Sequence, residues 1–132
     1  MIKNQNKPSL LSKAMKENAI FSGLAGLVLV VGASGLDGWL GVDARLLAAI
    51  GLGLVVYAAD LMWWSRSARW LVTGGRMAVV ADLGWVVAAA ALIAFTAVLT
   101  TQGEAALALV SVVIAALAAA QWLGLRKLAA DA

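Results

Sequence analysis

The sequence contains no cysteine, no histidine and only one proline. Disulfides, thiolate nucleophiles, zinc fingers, Ser-His and Cys-His catalytic arrangements and imidazole proton relays are therefore excluded. Charged residues make up 13% of the chain, which is about half of the share in an ordinary soluble domain. So few charges cannot cover a water-facing surface around the apolar residues that are present.

Apolar residues make up 64% of the 132-residue chain, against roughly 45–50% in soluble domains. They form four runs, at about residues 19–36, 46–64, 77–100 and 105–125. Helices of that length would measure roughly 27–36 Å, enough to cross a hydrocarbon core. The runs are apolar on all sides, unlike the alternating strands of a membrane barrel. We therefore predict an all-α, polytopic membrane protein with four transmembrane helices in an up-down bundle.

Basic residues predict the orientation of this transmembrane domain, which spans residues 19–125. They lie in the polar N-terminal tail (1–18), between the second and third runs, and in the C-terminal tail (126–132), whereas the other two connections hold only Arg45. By the positive-inside rule both tails are cytoplasmic, in a bacterial inner membrane. A lysine-rich start before an apolar run is also typical of a secretory signal peptide, although this run is long for one.

Polar residues inside the apolar runs form the candidate site. Asp60 and Asp82 are the only charged residues in the four spans, and both are predicted to lie roughly 6–8 Å below the cytoplasmic interface. Three further polar residues reach the same depth: Asn18, Ser22 and Gln121. Each of the four helices thus contributes to one polar layer, and such residues are costly inside a membrane.

Two interpretations of this layer remain open. In the first, the polar groups satisfy one another, or pair with Arg66, Arg69 or Arg76, and fix the packing of the helices. In the second, Asp60 and Asp82 bind a proton, a cation or a polar headgroup. Neither a catalytic site nor a metal site is expected, because the aspartate contexts match no protease motif and two carboxylates supply too few ligands for Mg²⁺.

Aromatic and basic residues surround the predicted layer. Four tryptophans form an aromatic rim near it: Trp63, Trp64, Trp85 and Trp122. They are interpreted as interfacial anchors or as the wall of a ligand pocket. The arginines Arg66, Arg69 and Arg76 would favour anionic lipid.

Small residues four apart, such as Ala49 and Gly53 in the second run, favour close helix packing within one chain or between copies. We expect a non-enzymatic binding or accessory protein without a cofactor and without nucleic-acid partners. It would recognise a lipid headgroup or another membrane protein, and self-association is also expected. The alternative is an oligomeric proton- or cation-linked transporter that uses Asp60 and Asp82.

Overall fold

The computed structural model describes residues 9–131, which form four α-helices. These are α1 (Leu10–Leu40), α2 (Ala44–Arg66), α3 (Leu71–Phe95) and α4 (Thr101–Asp131). Each is long and apolar enough to span a membrane, so the prediction of an all-helical, multi-pass membrane protein is confirmed. Residues 1–8 and 132 of the predicted tails, including Lys3 and Lys7, lie outside the described residues.

Helix boundaries differ from the apolar runs at several ends. α1 begins at Leu10 because the Ser9 side chain accepts a hydrogen bond from the backbone N–H of Ser12, which satisfies one free amide of the first turn. α4 likewise continues through the predicted C-terminal tail to Asp131. α3 ends earlier than predicted, at Phe95, and residues 96–100 form a non-helical connection.

The helix ends meet in two groups. At one end, the first turn of α1 lies against the other three helices: Ser12 Oγ donates to the carbonyl oxygen of Ser65 at 2.9 Å, and Leu11 is packed against Gly75 and Gly124. At the other end, Gly41 terminates α1 in the left-handed conformation (φ 80°), and the backbone N–H of Thr100 donates to the Leu40 carbonyl at 3.3 Å.

We call the first of these groups the basic end, because it carries nearly all of the described lysines and arginines. Its basic residues are Lys13, Lys16, Arg66, Arg69, Arg76, Arg126 and Lys127. The opposite end carries Arg45 and the acidic residues Asp37, Asp43 and Glu104.

α1 packs against α2 and α4, and only sparsely against α3. It contacts α2 most extensively and also contacts α4 along much of its length, whereas α3 packs mainly on α4 and meets α2 only sparsely. The tightest approach joins Gly26 of α1 and Gly51 of α2. A Cβ atom added at either glycine would lie 2.6 Å from the carbonyl oxygen of the other, so these two backbones pass each other with no space for a side chain.

Most of the apolar helix surface points away from the other helices. Within the most apolar stretch of each helix, only 17–22% of the residues are buried. Large side chains such as Val31, Val80 and Phe95 are among those that face outward. A water-soluble protein of this size does not expose so much continuous apolar surface, so lipid is the solvent for these faces.

Candidate functional site: a buried polar layer

The structure brings together four of the predicted polar residues, which join α1, α3 and α4 through side-chain hydrogen bonds: Asn18, Ser22, Asp82 and Gln121. The Asn18 amide group is at the centre of this layer: Nδ2 donates to Asp82 Oδ2 and to Gln121 Oε1, both at 2.8 Å. Asn18 Oδ1 accepts a hydrogen bond from Ser22 Oγ at 2.9 Å, one turn further along α1. Both N–H donors and one of the two acceptor positions of this amide are therefore used.

Asp82 accepts hydrogen bonds from three helices. Besides Asn18, Gln121 Nε2 donates to Asp82 Oδ2, and the Tyr57 hydroxyl of α2 donates to Asp82 Oδ1, each at 2.9 Å. Asp82 is only 4% exposed, and Asn18 and Gln121 are 1% and 0% exposed. The carboxylate is thus held by protein donors on both oxygens, and a ligand would have to displace one of them.

Tyr57 is the member of the layer that the sequence interpretation missed. Its hydroxyl also lies 3.3 Å from the carbonyl oxygen of Ala78, one turn before Asp82. The sequence did contain an indication that Tyr57 belongs to the layer, because it is the only tyrosine of the chain and falls within a predicted span. A phenol hydroxyl in apolar surroundings almost always finds a polar partner.

Asp60 lies outside this layer. Its side chain is exposed, and it makes no hydrogen bond or ion pair with any of residues 9–131. Successive helix residues are turned by about 100°, and the neighbouring Leu61 is fully buried, so α2 points Asp60 away from the other helices. The expected grouping of Asp60 with Asp82 is therefore absent from the structure, and its place is taken by Tyr57. The role of the layer as a binding site stays a prediction.

The three arginines of the α2–α3 region do not reach the layer. Arg66, Arg69 and Arg76 are exposed at the basic end, and none pairs with Asp82. Arg69 instead lies with its guanidinium 5.5 Å from the ring centre of Trp70. Among residues 9–131, neutral hydrogen-bond donors therefore stabilise the Asp82 carboxylate, and no cationic side chain pairs with it.

The four predicted rim tryptophans occupy different environments. Trp63 is exposed, with its ring centre 6.2 Å from that of Trp70. Trp64 packs closely against Gly74, and Trp122 lies under the guanidinium of Arg126. Trp85 is half-buried, and its indole Nε1 finds no acceptor within residues 9–131. They do not line one common pocket wall in the described part of the chain.

Chemically, the layer is suited to holding four helices in one register. In the described part of the chain, no three carboxylate, histidine or cysteine groups come close enough to hold a metal ion. Comparisons with family models, with curated proteins and with solved structures find no match to this chain. Its function must therefore be argued from its own side chains.

Proposed function

We propose that this chain is a small binding or accessory membrane protein that recognises another membrane protein through one face of α2. The observation that carries this proposal is the exposed carboxyl group of Asp60, which has no partner among residues 9–131 and belongs to a helix that can span a membrane. Facing lipid, a charged side chain near the centre costs about 2.5–3.5 kcal/mol on insertion scales, less towards the ends. A partner that supplies a hydrogen-bond donor removes this cost.

The face that carries Asp60 has the form of a helix-packing surface. It consists of Ala49, Gly53, Val56, Asp60 and Trp63, which recur at spacings of four and three residues and are all exposed. We call it the outer face of α2. A Cβ atom added at Gly53 would meet nothing within 4 Å, so a second helix can approach the backbone there.

Charge decides which partner fits this face best. A pair of α2 helices packed through the outer face about a twofold axis along the membrane normal would bring two Asp60 carboxylates to the same depth on facing surfaces. Like charges at close range in a low dielectric disfavour that pair. The preferred partner is a transmembrane helix of another protein that carries a lysine, an arginine or an amide at the depth of Asp60.

The transporter alternative has less support. It requires Asp60 and Asp82 to act along one path, yet Asp82 already accepts three hydrogen bonds and Asp60 points away from them. Self-association through another face remains compatible with the proposal.

A synthetic helix tests the recognition step. The full chain, labelled for energy transfer, is reconstituted in liposomes with a leucine-alanine transmembrane peptide that carries one lysine at the depth of Asp60. Association should be roughly 3- to 20-fold stronger than with the same peptide lacking lysine, the range expected for one polar contact in a membrane. The Asp60→Leu variant should associate equally with both peptides, whereas Asp82→Asn should keep the preference for the lysine peptide.

Equal association of both peptides with the parent protein would refute recognition through Asp60. Energy transfer between copies of the protein that is lost in Asp60→Leu would assign the outer face to self-association instead.

We also propose that the helices run up and down across a bacterial inner membrane with the basic end in the cytoplasm, since that end holds most of the basic residues. The cysteine-free chain allows a direct test. In intact cells, an impermeant thiol reagent should label Gln102→Cys, at the opposite end, and should label Ala130→Cys only after permeabilisation. The reverse pattern would contradict this orientation.

A further inference from the structure

A groove between α3 and α4 opens at the basic end, away from the outer face of α2. It has a volume of about 440 Å³. Its lining combines two arginines and a tryptophan with small and branched apolar residues: Arg76, Val79, Val80, Trp122, Leu125, Arg126 and Ala129. The groove therefore has a cationic part and an apolar part.

The two arginines lie at the same level. Asp82 and Gln121 are hydrogen-bonded to each other and mark a common level on α3 and α4. Arg76 is six residues from Asp82 and Arg126 is five residues from Gln121, both towards the basic end, which places them roughly 9 Å and 7.5 Å beyond that level. Val79, Val80 and Leu125 lie between the arginines and the level of Asp82 and Gln121. The charges are thus nearer the helix ends, and the apolar lining other than Ala129 is nearer the middle.

Within the described part of the chain, the donors of both guanidinium groups have no acceptor. Arg76 and Arg126 are exposed, and neither makes a hydrogen bond or an ion pair with residues 9–131. The Arg126 guanidinium lies 4.9 Å from the ring centre of Trp122, a stacking contact that orients the group and leaves its N–H donors unused. Planar guanidinium groups bind phosphate oxygens through two parallel hydrogen bonds.

We infer that this groove binds an anionic phospholipid, with its phosphate on Arg76 and Arg126 and an acyl chain over Val80 and Leu125. Charge complementarity selects the headgroup, because two arginines face the groove and no described acidic residue lines it. The order of the charged and apolar parts along the helices selects a lipid over a soluble phosphate, since it matches a phospholipid in its leaflet. This site is independent of the protein partner proposed for α2.

The test measures binding of single lipids to the purified full chain by native mass spectrometry. Phosphatidylglycerol is titrated against phosphatidylcholine with the same acyl chains. The first phosphatidylglycerol should bind the parent protein more tightly, and each of Arg76→Gln and Arg126→Gln should weaken it about fivefold, or roughly 25- to 30-fold together, given about 1 kcal/mol per arginine.

Two further variants separate this groove from general surface charge. The matched control, Arg66→Gln with Arg69→Gln, removes the same charge from the same end outside the groove, and it should change affinity less than twofold. Val80→Trp fills the apolar part without changing charge, and it should weaken binding as well. Equal weakening by the two double variants, or equal affinity of the parent protein for both lipids, would overturn the inference. So would full binding by Val80→Trp.

Discussion

Asp60 and Asp82 are chemically identical side chains at nearly the same level of the molecule, yet they occupy opposite environments. Asp82 is buried and accepts hydrogen bonds from Asn18, Tyr57 and Gln121. Asp60 follows Tyr57 by less than one turn of α2 and faces outward without a partner among residues 9–131. The comparison separates two uses of a carboxylate in a membrane protein, because one consolidates the fold and the other is available to something outside it.

The largest expected effect comes from removing the buried carboxylate. Asp82→Ala removes three hydrogen bonds, and should lower the free energy of unfolding by about 2–5 kcal/mol, at about 0.6–1.7 kcal/mol for each membrane contact. Reversible unfolding in mixed detergent micelles measures this change. The matched control is Asp60→Ala, which removes the same group from an exposed position and should leave the stability of the isolated protein within about 0.5 kcal/mol of the parent.

Asp82→Asn sharpens the same experiment. Its oxygen can still accept from Asn18 and Gln121 while its amide nitrogen faces the Tyr57 hydroxyl, so it should lose about 1 kcal/mol or less. Equal losses for Asp60→Ala and Asp82→Ala would remove the distinction between the two sites.

A smaller effect is expected from Tyr57→Phe, which deletes the side-chain link between α2 and Asp82. The loss should be about 0.6–1.7 kcal/mol, the value of one membrane hydrogen bond. In a double-mutant cycle, Tyr57→Phe should add little once Asp82→Ala is present, because the acceptor has already gone. Full additivity of the two changes would show that the hydroxyl does not stabilise the protein through Asp82.

The four helices were predictable because lipid-crossing segments need long apolar runs. The ends of the helices were less predictable, because hydropathy does not show which residues at the basic end are buried by contacts with other helices. The first turns of α1 are polar in part, yet Leu11 and Met15 are fully buried among other helices, and this burial extends α1 to Leu10. The connection at residues 96–100 is as apolar as a helix, so its composition could not reveal the break after Phe95.

Four members of the polar layer were predicted by depth alone: Asn18, Ser22, Asp82 and Gln121. Depth could not decide which way α2 is rotated, because its lipid-facing and helix-facing sides are both apolar and leave no periodic signal. The sequence interpretation placed Asp60 in the layer and did not consider Tyr57. The packing of Leu61 into the core turns Tyr57, three residues before Asp60, towards Asp82 instead. The rotation of an apolar helix is set by shape, and shape is not readable from polarity.

The crossing of Gly26 and Gly51 limits how this chain can evolve. Every missense change in either codon adds a Cβ atom, and that atom would lie against a carbonyl oxygen of the neighbouring backbone. Gly53, two residues further along α2, has open space around it within this chain, so a side chain there would leave the packing of the four helices unchanged. Two glycines of one helix thus differ in the substitutions that the fold tolerates, because Gly51 contacts the main chain of α1 and Gly53 faces outward.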